Sequence, residues 1–518
     1  MNSVSPKSKL LGDAALLSAA SVIAFVFSIP ASIISAKLLG PAILGVFKIV
    51  SLIQNYSSYS QLGFLQALQR ETTILRGKGD VKQADHVTDV ALTNTAILLG
   101  ATLAVLWALY TLGLFQKKGI TALIMLFCLL IIMVTRVNSA ISAYMISKDN
   151  FAAISLNNAL SGMLGPILAI GLVLYYRNVE SLLAGSFITA LCTFGIYLMK
   201  LGKMGFRFRP RLDWQTTCRI WKPNVIIYVN NLTGQLYWTI DLLMITIFLD
   251  IKNVGLYGTA LAATNIATNF TARINKPILR RIMFQRGQHG FSDMSWYRHY
   301  LAKPLTVYMF YSCLWMGLLC VSYVWLINYY LVAYRDAVWP LVILSFGLMV
   351  YQSMPIFSFF INVTDQFRLM ILTRFVFVLL NMALDVLAIK GGYGIRGVAI
   401  VSTISYVIYT GFMAAVVFTQ IEGRTGFRSA ILHMGRLLVV SVILSGYAWG
   451  YYAVIHGSSG KHSVLSRIPD LLLINAGYLA LIILVFSLMF FHQRIHRELL
   501  SILGTVYSRF VKPGTVRV

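Results

Sequence analysis

Seven charged side chains stand inside stretches that are otherwise apolar over about 20 residues, the length of a membrane-crossing helix. Five are cations (Lys48, Arg136, Arg273, Lys276 and Arg374) and two are anions (Asp241 and Asp385). A charge at mid-membrane costs about 2.5–3.5 kcal/mol on insertion scales, so such residues face a cavity, a partner or water. The surplus is cationic, and buried Arg and Lys offer charge-assisted hydrogen bonds to an anion such as a phosphate. Arg136 and Arg273 lie deepest and have no local carboxylate, which makes them the first candidates for anion binding, with Lys48 and Arg374 behind them. Lys48 and Lys276 lie nearer span ends, where a long stem lets the ammonium reach the interface. Arg374, Asn381 and Asp385 share one helix face, but Asp385 is too far along to pair with Arg374. Asp241 and Asp385 are the candidates for coupling to an ion.

Polar residues at helical spacing extend these positions into stripes. Ser18, Ser21, Ser28, Ser32 and Ser35 share one side of the first apolar segment, and Lys48, Ser51, Asn55 and Ser58 share one side of the second. Farther along, Tyr228, Asn231, Gln235 and Trp238 form a third stripe, and Asn265, Asn269, Arg273 and Lys276 a fourth. Period-3.6 polar stripes in spanning segments point at protein or water rather than lipid. Asn55, Asn231, Gln235 and Trp238 are therefore candidates for hydrogen bonding and stacking with a polar substrate. The serines of the first stripe equally suit close helix packing.

The elements that carry these stripes follow from composition. Of 518 residues 58% are hydrophobic and 12% charged, with a mean hydropathy of +0.75, far from the roughly 25% charged residues of soluble domains. Lipid demands that backbone groups be satisfied internally, and runs this long are helices rather than the short alternating strands of a barrel. The reading is an all-α integral membrane protein of about fourteen spans, near 11–36, 42–66, 88–114, 120–146, 151–175, 179–199, 223–249, 254–278, 304–330, 337–362, 367–389, 394–419, 434–455 and 469–491. With the N-terminus in the cytoplasm, 28 of the 43 Lys and Arg residues fall on the cytoplasmic side and 10 on the other. The positive-inside rule then places both termini in the cytoplasm. Most of the +26 net charge is thus orientation and contact with anionic membrane lipids, not nucleic-acid binding.

The chain also repeats itself at an offset of 210. Leu39–Phe47 aligns with Leu249–Tyr257, Arg70 with Arg280, and Arg76–Gly77 with Arg286–Gly287. Lys148–Phe151 aligns with Thr364–Phe367 at an offset of 216. Six helices per repeat give both halves the same orientation, with an axis along the membrane normal and a substrate path between them. The expected division is an N-terminal six-helix lobe over 1–210, a C-terminal six-helix lobe over 211–422 with pseudo-twofold symmetry around a central cavity, and two further helices with a cytoplasmic tail over 423–518.

Three segments carry a family resemblance: LLGPAILGVFKIVSLI from Leu38, LGFLQALQRETTILRGKGD from Leu62 and NMALDVLAIKGGYGIRGVAIVSTIS from Asn381. They resemble the multidrug/oligosaccharidyl-lipid/polysaccharide exporter superfamily, in particular its polysaccharide-biosynthesis (O-antigen type) lipid-linked oligosaccharide flippases. The resemblance covers roughly residues 11 to 420. It implies two six-helix lobes around a cavity that opens alternately to each face of a bacterial inner membrane. It also implies a polyprenyl-diphosphate-linked oligosaccharide as substrate, with other polysaccharide-assembly membrane proteins as partners. A cation-coupled exporter of drugs or metabolites shares that fold, but calls for membrane carboxylates facing a cationic substrate. A polytopic polymerase or ligase calls for a large external loop, and the longest external connection, near 456–468, is short.

Other chemistry finds no support in the sequence. Gly457–Lys461 lacks the spacing of a phosphate-binding loop. The five cysteines form neither metal-ligand pairs nor a disulfide framework, and no metal-spaced histidine pair falls inside a span. The reading is of a transporter, not an enzyme, with no cofactor and no nucleotide-binding domain.

Overall fold

The computed structural model describes residues 6–148, 150–206, 208–272, 295–364, 366–457 and 467–490. Among them all regular structure is helical. The long elements are α1 (Pro6–Ser57), α2 (Phe64–Gly77), α3 (Val81–Thr111), α4 (Ala122–Ser147), α5 (Phe151–Tyr176), α6 (Val179–Lys203), α7 (Trp214–Phe248) and α8 (Ile251–Ala272). They continue as α9 (Ser295–Tyr329), α10 (Val338–Tyr351), α11 (Met354–Val363), α12 (Phe367–Lys390), α13 (Gly394–Glu422), α14 (Gly426–Gly457) and α15 (Ile468–Phe490). Ten candidate membrane spans are found among the described residues, so this is a multi-pass membrane protein. The spans expected at 223–249 and 254–278 form as α7 and α8 but are not among those ten. Their asparagines, Gln235 and Asp241 lower the mean hydropathy, as residues facing protein rather than lipid do.

The first two expected spans join as α1, which breaks at Gly40 with φ +72° and ψ 172°. Pro41 follows, and only glycine takes that left-handed φ without a Cβ clash. The second span ends earlier than its hydropathy suggests. Ser57, Ser58 and Ser60 turn their hydroxyls back onto the carbonyls of Gln54, Asn55 and Ser57 at 2.6–2.7 Å, offering the backbone an alternative to the helix ladder. A short turn over Tyr59–Gln61 follows, then Leu62 at φ +49° and Gly63 at φ +83°. A left-handed leucine is strained, and the Leu62 carbonyl is held by the Trp221 indole N–H at 2.9 Å.

Contacts divide the chain into two compact units, Met1–Gly258 with Phe367–Ile395, and Thr259–Gln366 with Arg396–Val518. In the first, α5 packs on α1 and α6, α4 on α6, and α12 along α7. Polar caps fix the ends: Asp80, Thr121, Asn150, Asn178 and Asp213 each accept the backbone N–H three residues on, starting α3 to α7. In the second unit α9 packs on α10, α14 and α15, and α10 on α14. There the Tyr478 hydroxyl of α15 donates to the Cys313 carbonyl of α9 at 2.7 Å, beside Gly317, where a Cβ would collide with it. Thr403 donates to the Ile343 carbonyl at 2.9 Å.

The repeat has a physical counterpart inside the first unit. A Cβ on Gly45 would strike the backbone carbonyl of Ile251, and a Cβ on Gly255 would strike that of Pro41. Gly255 is Gly45 plus 210 and Ile251 is Pro41 plus 210, so the two segments make the same contact on each other in reverse. Backbone-to-backbone approach of this kind is what small residues allow between spanning helices. Substituting Gly45 or Gly255 by valine should lower the thermal unfolding midpoint of the detergent-solubilised protein markedly, since overpacking typically costs about 1–3 kcal/mol. Gly77→Ala, where nothing lies within 4 Å of the added Cβ, should leave it unchanged or slightly raised. Equal midpoints for all three variants would contradict the close approach.

Candidate functional site

Five of the residues expected from sequence line one cavity of about 530 Å³ in the first unit: Arg136 from α4, Asn231, Gln235 and Trp238 from α7, and Arg374 from α12. The remaining wall comes from Ser58, Tyr59, Gln61, Leu65 and Gln66 of the broken α1–α2 junction, with Tyr228 and Asn230. The junction matters because a continuous helix would point the adjacent Ser58 and Tyr59 about 100° apart, whereas the turn directs both to this space. Gly63 lets the turn sit against Tyr228, whose Cβ lies 3.0 Å from where a glycine Cβ would be.

The two guanidiniums are held differently. Arg374, 9% exposed, donates from Nη1 to both the backbone carbonyl and the side-chain oxygen of Asn230, each at 3.1 Å. Gly234 gives it room, since a Cβ there would stand 3.1 Å from the same nitrogen. Arg136 donates from Nη2 to the Gln54 carbonyl at 3.0 Å. Its Nε and the Gln61 side-chain nitrogen are buried with no hydrogen-bond acceptor from the protein. Unmet donors in a buried, cationic space cost free energy until an acceptor-rich group arrives. A phosphate or diphosphate supplies such oxygens.

Asp241 and Asp385 form a second polar centre on the same two helices. Asp241, 1% exposed, accepts from the Tyr257 hydroxyl at 2.9 Å and from the Asn381 amide at 2.8 Å. Asp385 is fully buried, its carboxylate oxygens have no hydrogen-bond donor, and it interacts electrostatically with Asp241. A buried carboxylate without a donor is costly until a cation or a hydrogen-bond donor reaches it. Among the described residues no cluster of three or more His, Cys, Asp or Glu has metal-site geometry.

The other expected residues lie elsewhere. Lys48 packs its stem on Gly258, Asn55 is exposed, and neither lines the cavity. Arg273 and Lys276 lie outside the described residues. Asn230, Gln61, Gln66 and Tyr59 are outside the helical stripes, because Asn230 falls one step off the Asn231 face, Tyr59 and Gln61 belong to the turn, and Gln66 lies in α2 beyond it. Tyr257 was missed for want of a partner visible in the sequence.

At the start of α7 a third cluster sits outside the membrane-spanning region. His86 Nε2 meets Asp213 at 3.0 Å, Thr216 donates its hydroxyl to Asp213 at 2.6 Å, and Arg211 meets His86 Nδ1 at 3.2 Å. The Thr216 hydroxyl first, then His86 and the Thr216 backbone N–H, hold the Asp213 carboxyl below the ordinary carboxylate range. The cluster ties α3 to the cap of α7.

Comparison with known proteins fits this geometry. Residues 34–285 match the family described as polysaccharide biosynthesis protein. No curated protein matches the sequence. Among solved structures, the lipid II flippase MurJ in an inward closed conformation superposes with a TM-score of 0.63 at 14% identity, covering 90% of this chain and 99% of that one. The chain shares the fold of that flippase. Outward-facing and inward-facing structures of a multidrug resistance MATE family transporter of the MOP superfamily also match, with TM-scores of 0.51 and 0.52. Each is 13% identical, covering 84% and 82% of this chain and 97% and 95% of theirs. At these identities the likeness is one of MOP fold, and it leaves the cargo to be argued from the cavity.

Two outcomes check the geometry. Gly234→Ala should displace the Arg374 guanidinium and weaken anion binding in the cavity several-fold without lost expression, as measured by titration with inorganic diphosphate. Asp213, held low when folded, adds stability above its unfolded pKa of about 3.9, and this is lost as pH falls through the lower folded value. The protection factor of the Thr216 amide, its exchange relative to the intrinsic rate at each pH, should therefore fall below about pH 4 in the wild type. In Asp213→Asn it should show no such fall in that range.

Proposed function

We propose that this protein is a flippase for a polyprenyl-diphosphate-linked oligosaccharide, carrying it from the cytoplasmic to the outer leaflet of a bacterial inner membrane by alternating access. The observation that carries the reading is the Arg136–Arg374 cavity: two cations, uncommitted donors, and amide and aromatic groups beside them, with no carboxylate in its wall. Cations receive the diphosphate. Asn231, Gln235, Gln66 and the faces of Trp238 and Tyr59 suit sugar hydroxyls and rings. Lys48 and Arg273 are proposed to act on the anion in other conformations. Both termini are cytoplasmic in this reading, and the partners are membrane lipids and other polysaccharide-assembly proteins.

The Asp241–Asp385 pair is proposed as the coupling site, taking up a proton or a sodium ion. It lies on the helices that carry the anion site, with Asp241 three residues from Trp238 and Asp385 eleven from Arg374. Loading a cation there changes how α7 and α12 pack and so can bias the cavity toward one face. Inside-negative potential favours outward movement of the anionic cargo by about 2.3 kcal/mol per charge per 100 mV.

A cation-coupled drug or metabolite exporter is the second reading, favoured only by those carboxylates. The two separate in cells that need the surface glycan. Arg136→Glu should reduce surface polysaccharide at least about tenfold, the effect of some 1.4 kcal/mol, at normal membrane abundance. Arg374→Lys keeps the charge but not the two-point hold on Asn230, and should reduce it less than Arg374→Glu. Asp385→Asn should flatten the dependence of transport on the cation gradient. Full surface polysaccharide with Arg136→Glu and Arg374→Glu would remove the anion-site reading.

A further inference from the structure

A second space in the first unit differs in chemistry from the polar cavity. It is an apolar groove of about 810 Å³ between the second half of α1, α3 and α7. Leu52, Ala101, Val105, Leu106, Leu243 and Ile247 represent its walls, and Lys118 stands at one end. Val105 and Ile247 are more than half exposed, so in a membrane the groove opens sideways to lipid rather than to water.

Its two ends are chemically distinct. At the inner end Tyr56, Ser57 and Ser60 line the groove, while Ser58, Tyr59 and Gln61 of the same turn line the polar cavity. One wall, the broken end of α1, thus separates an anion site from an apolar track. Tyr56 stiffens that wall: Thr239 gives its proton to the Gln235 carbonyl at 2.8 Å, so the Tyr56 hydroxyl donates to Thr239 at 2.6 Å. At the outer end Lys118 is held by the carbonyls of Ile247 and Leu249 at 3.4 and 3.1 Å, capping the last turn of α7.

We infer that the groove holds the polyprenyl tail of a lipid whose diphosphate sits in the Arg136–Arg374 cavity. The inference rests on the flippase reading and adds to it a tail site. Head at the turn and tail toward Lys118 is the orientation of a lipid in the cytoplasmic leaflet. From Leu98 to the end of α3 at Thr111 the track runs about 20 Å at ~1.5 Å per residue. One leaflet of a ~30 Å hydrocarbon core is about 15 Å deep, so the track outruns an ordinary acyl chain anchored at its own leaflet and suits a longer isoprenoid. The open side lets the tail enter laterally and stay in apolar surroundings while the head is handled inside.

The test uses the purified full chain in nanodiscs and two probes, farnesyl diphosphate and a long-chain polyprenyl diphosphate. The wild type should bind the long-chain probe at least about tenfold more tightly, a difference of some 1.4 kcal/mol. Ala101→Trp and Val105→Trp should abolish that preference while keeping the affinity for inorganic diphosphate, which has no tail and so also reports that the variants are folded. In the unaltered protein, a photoreactive group on the long tail should label peptides from Leu98–Lys118 or Leu243–Leu249. Equal affinity for both probes, a preference that survives both tryptophans, labelling confined to other helices, or equal displacement of the long-chain probe by phosphatidylglycerol would each overturn the groove and leave the flippase reading standing. If neither diphosphate binds, the anion cavity fails, and the groove falls with it.

Discussion

Hydrocarbon penalises an unpartnered charge, and the pairing of α7 with α12 is arranged around that penalty. Arg374 meets Asn230, and Asp385 interacts with Asp241; both pairs are 144 residues apart, so the two helices run parallel and in register. Between those levels Asn381 reaches Asp241. A slip of one residue would strip the guanidinium of both Asn230 acceptors and leave the carboxylates against apolar side chains. The register that satisfies the charges is therefore the register that packs the helices, and it sets a cationic level and an anionic level about 16 Å apart at ~1.5 Å per residue. Any ion taken up at one level acts on the same two helices that hold the other.

A second constraint sits at the opposite end of the same unit. Gly45 and Gly255 bring the start of α8 against the second half of α1 with no side chain between them. Because the contacts are reciprocal, widening one widens the other, as in an isologous interface. Lys118 and Gly119 close over this corner, the lysine on the last α7 carbonyls and the glycine against Ile251 and Val46. Contacts between bare backbones, with little side-chain interlock, suit an interface that opens and recloses.

Much of this was legible beforehand, and the limits have physical causes. Hydropathy located the helices because lipid enforces long apolar runs, and the loop matches around Gly45 and Gly255 fall where two backbones meet. Arg136, Asn231, Gln235, Trp238 and Arg374 stand out in the sequence because charge inside an apolar run is costly and stripes obey the helical period. Tyr59 does not stand out, since it reaches the cavity only through the break in the helix at Ser57–Gly63, and Asn230 falls one step off the Asn231 face. The serines of that segment and its glycine were the available signal. Lys48 was read as a cavity candidate from its stripe, but the long stem lies along Gly258, a contact that periodicity cannot show. The repeat boundary and the packing boundary also differ: α7 and α12 belong to the second repeat by sequence, yet pack with the first unit. Pairing preferences between helices far apart in sequence leave no mark on hydropathy.

The central claim is that a cationic cavity carries an anionic lipid-linked sugar across the bilayer. Its most direct measurement is flipping itself, with the purified protein in liposomes preloaded with a fluorescent polyprenyl-diphosphate oligosaccharide in one leaflet, quenched from outside over time. Leaflet exchange should run well above that of protein-free vesicles, be lost in Arg136→Glu and be unaffected by an excess of cationic drug-like compounds. Exchange no faster than in empty vesicles, or inhibition by the cationic compounds with no dependence on Arg136, would contradict it.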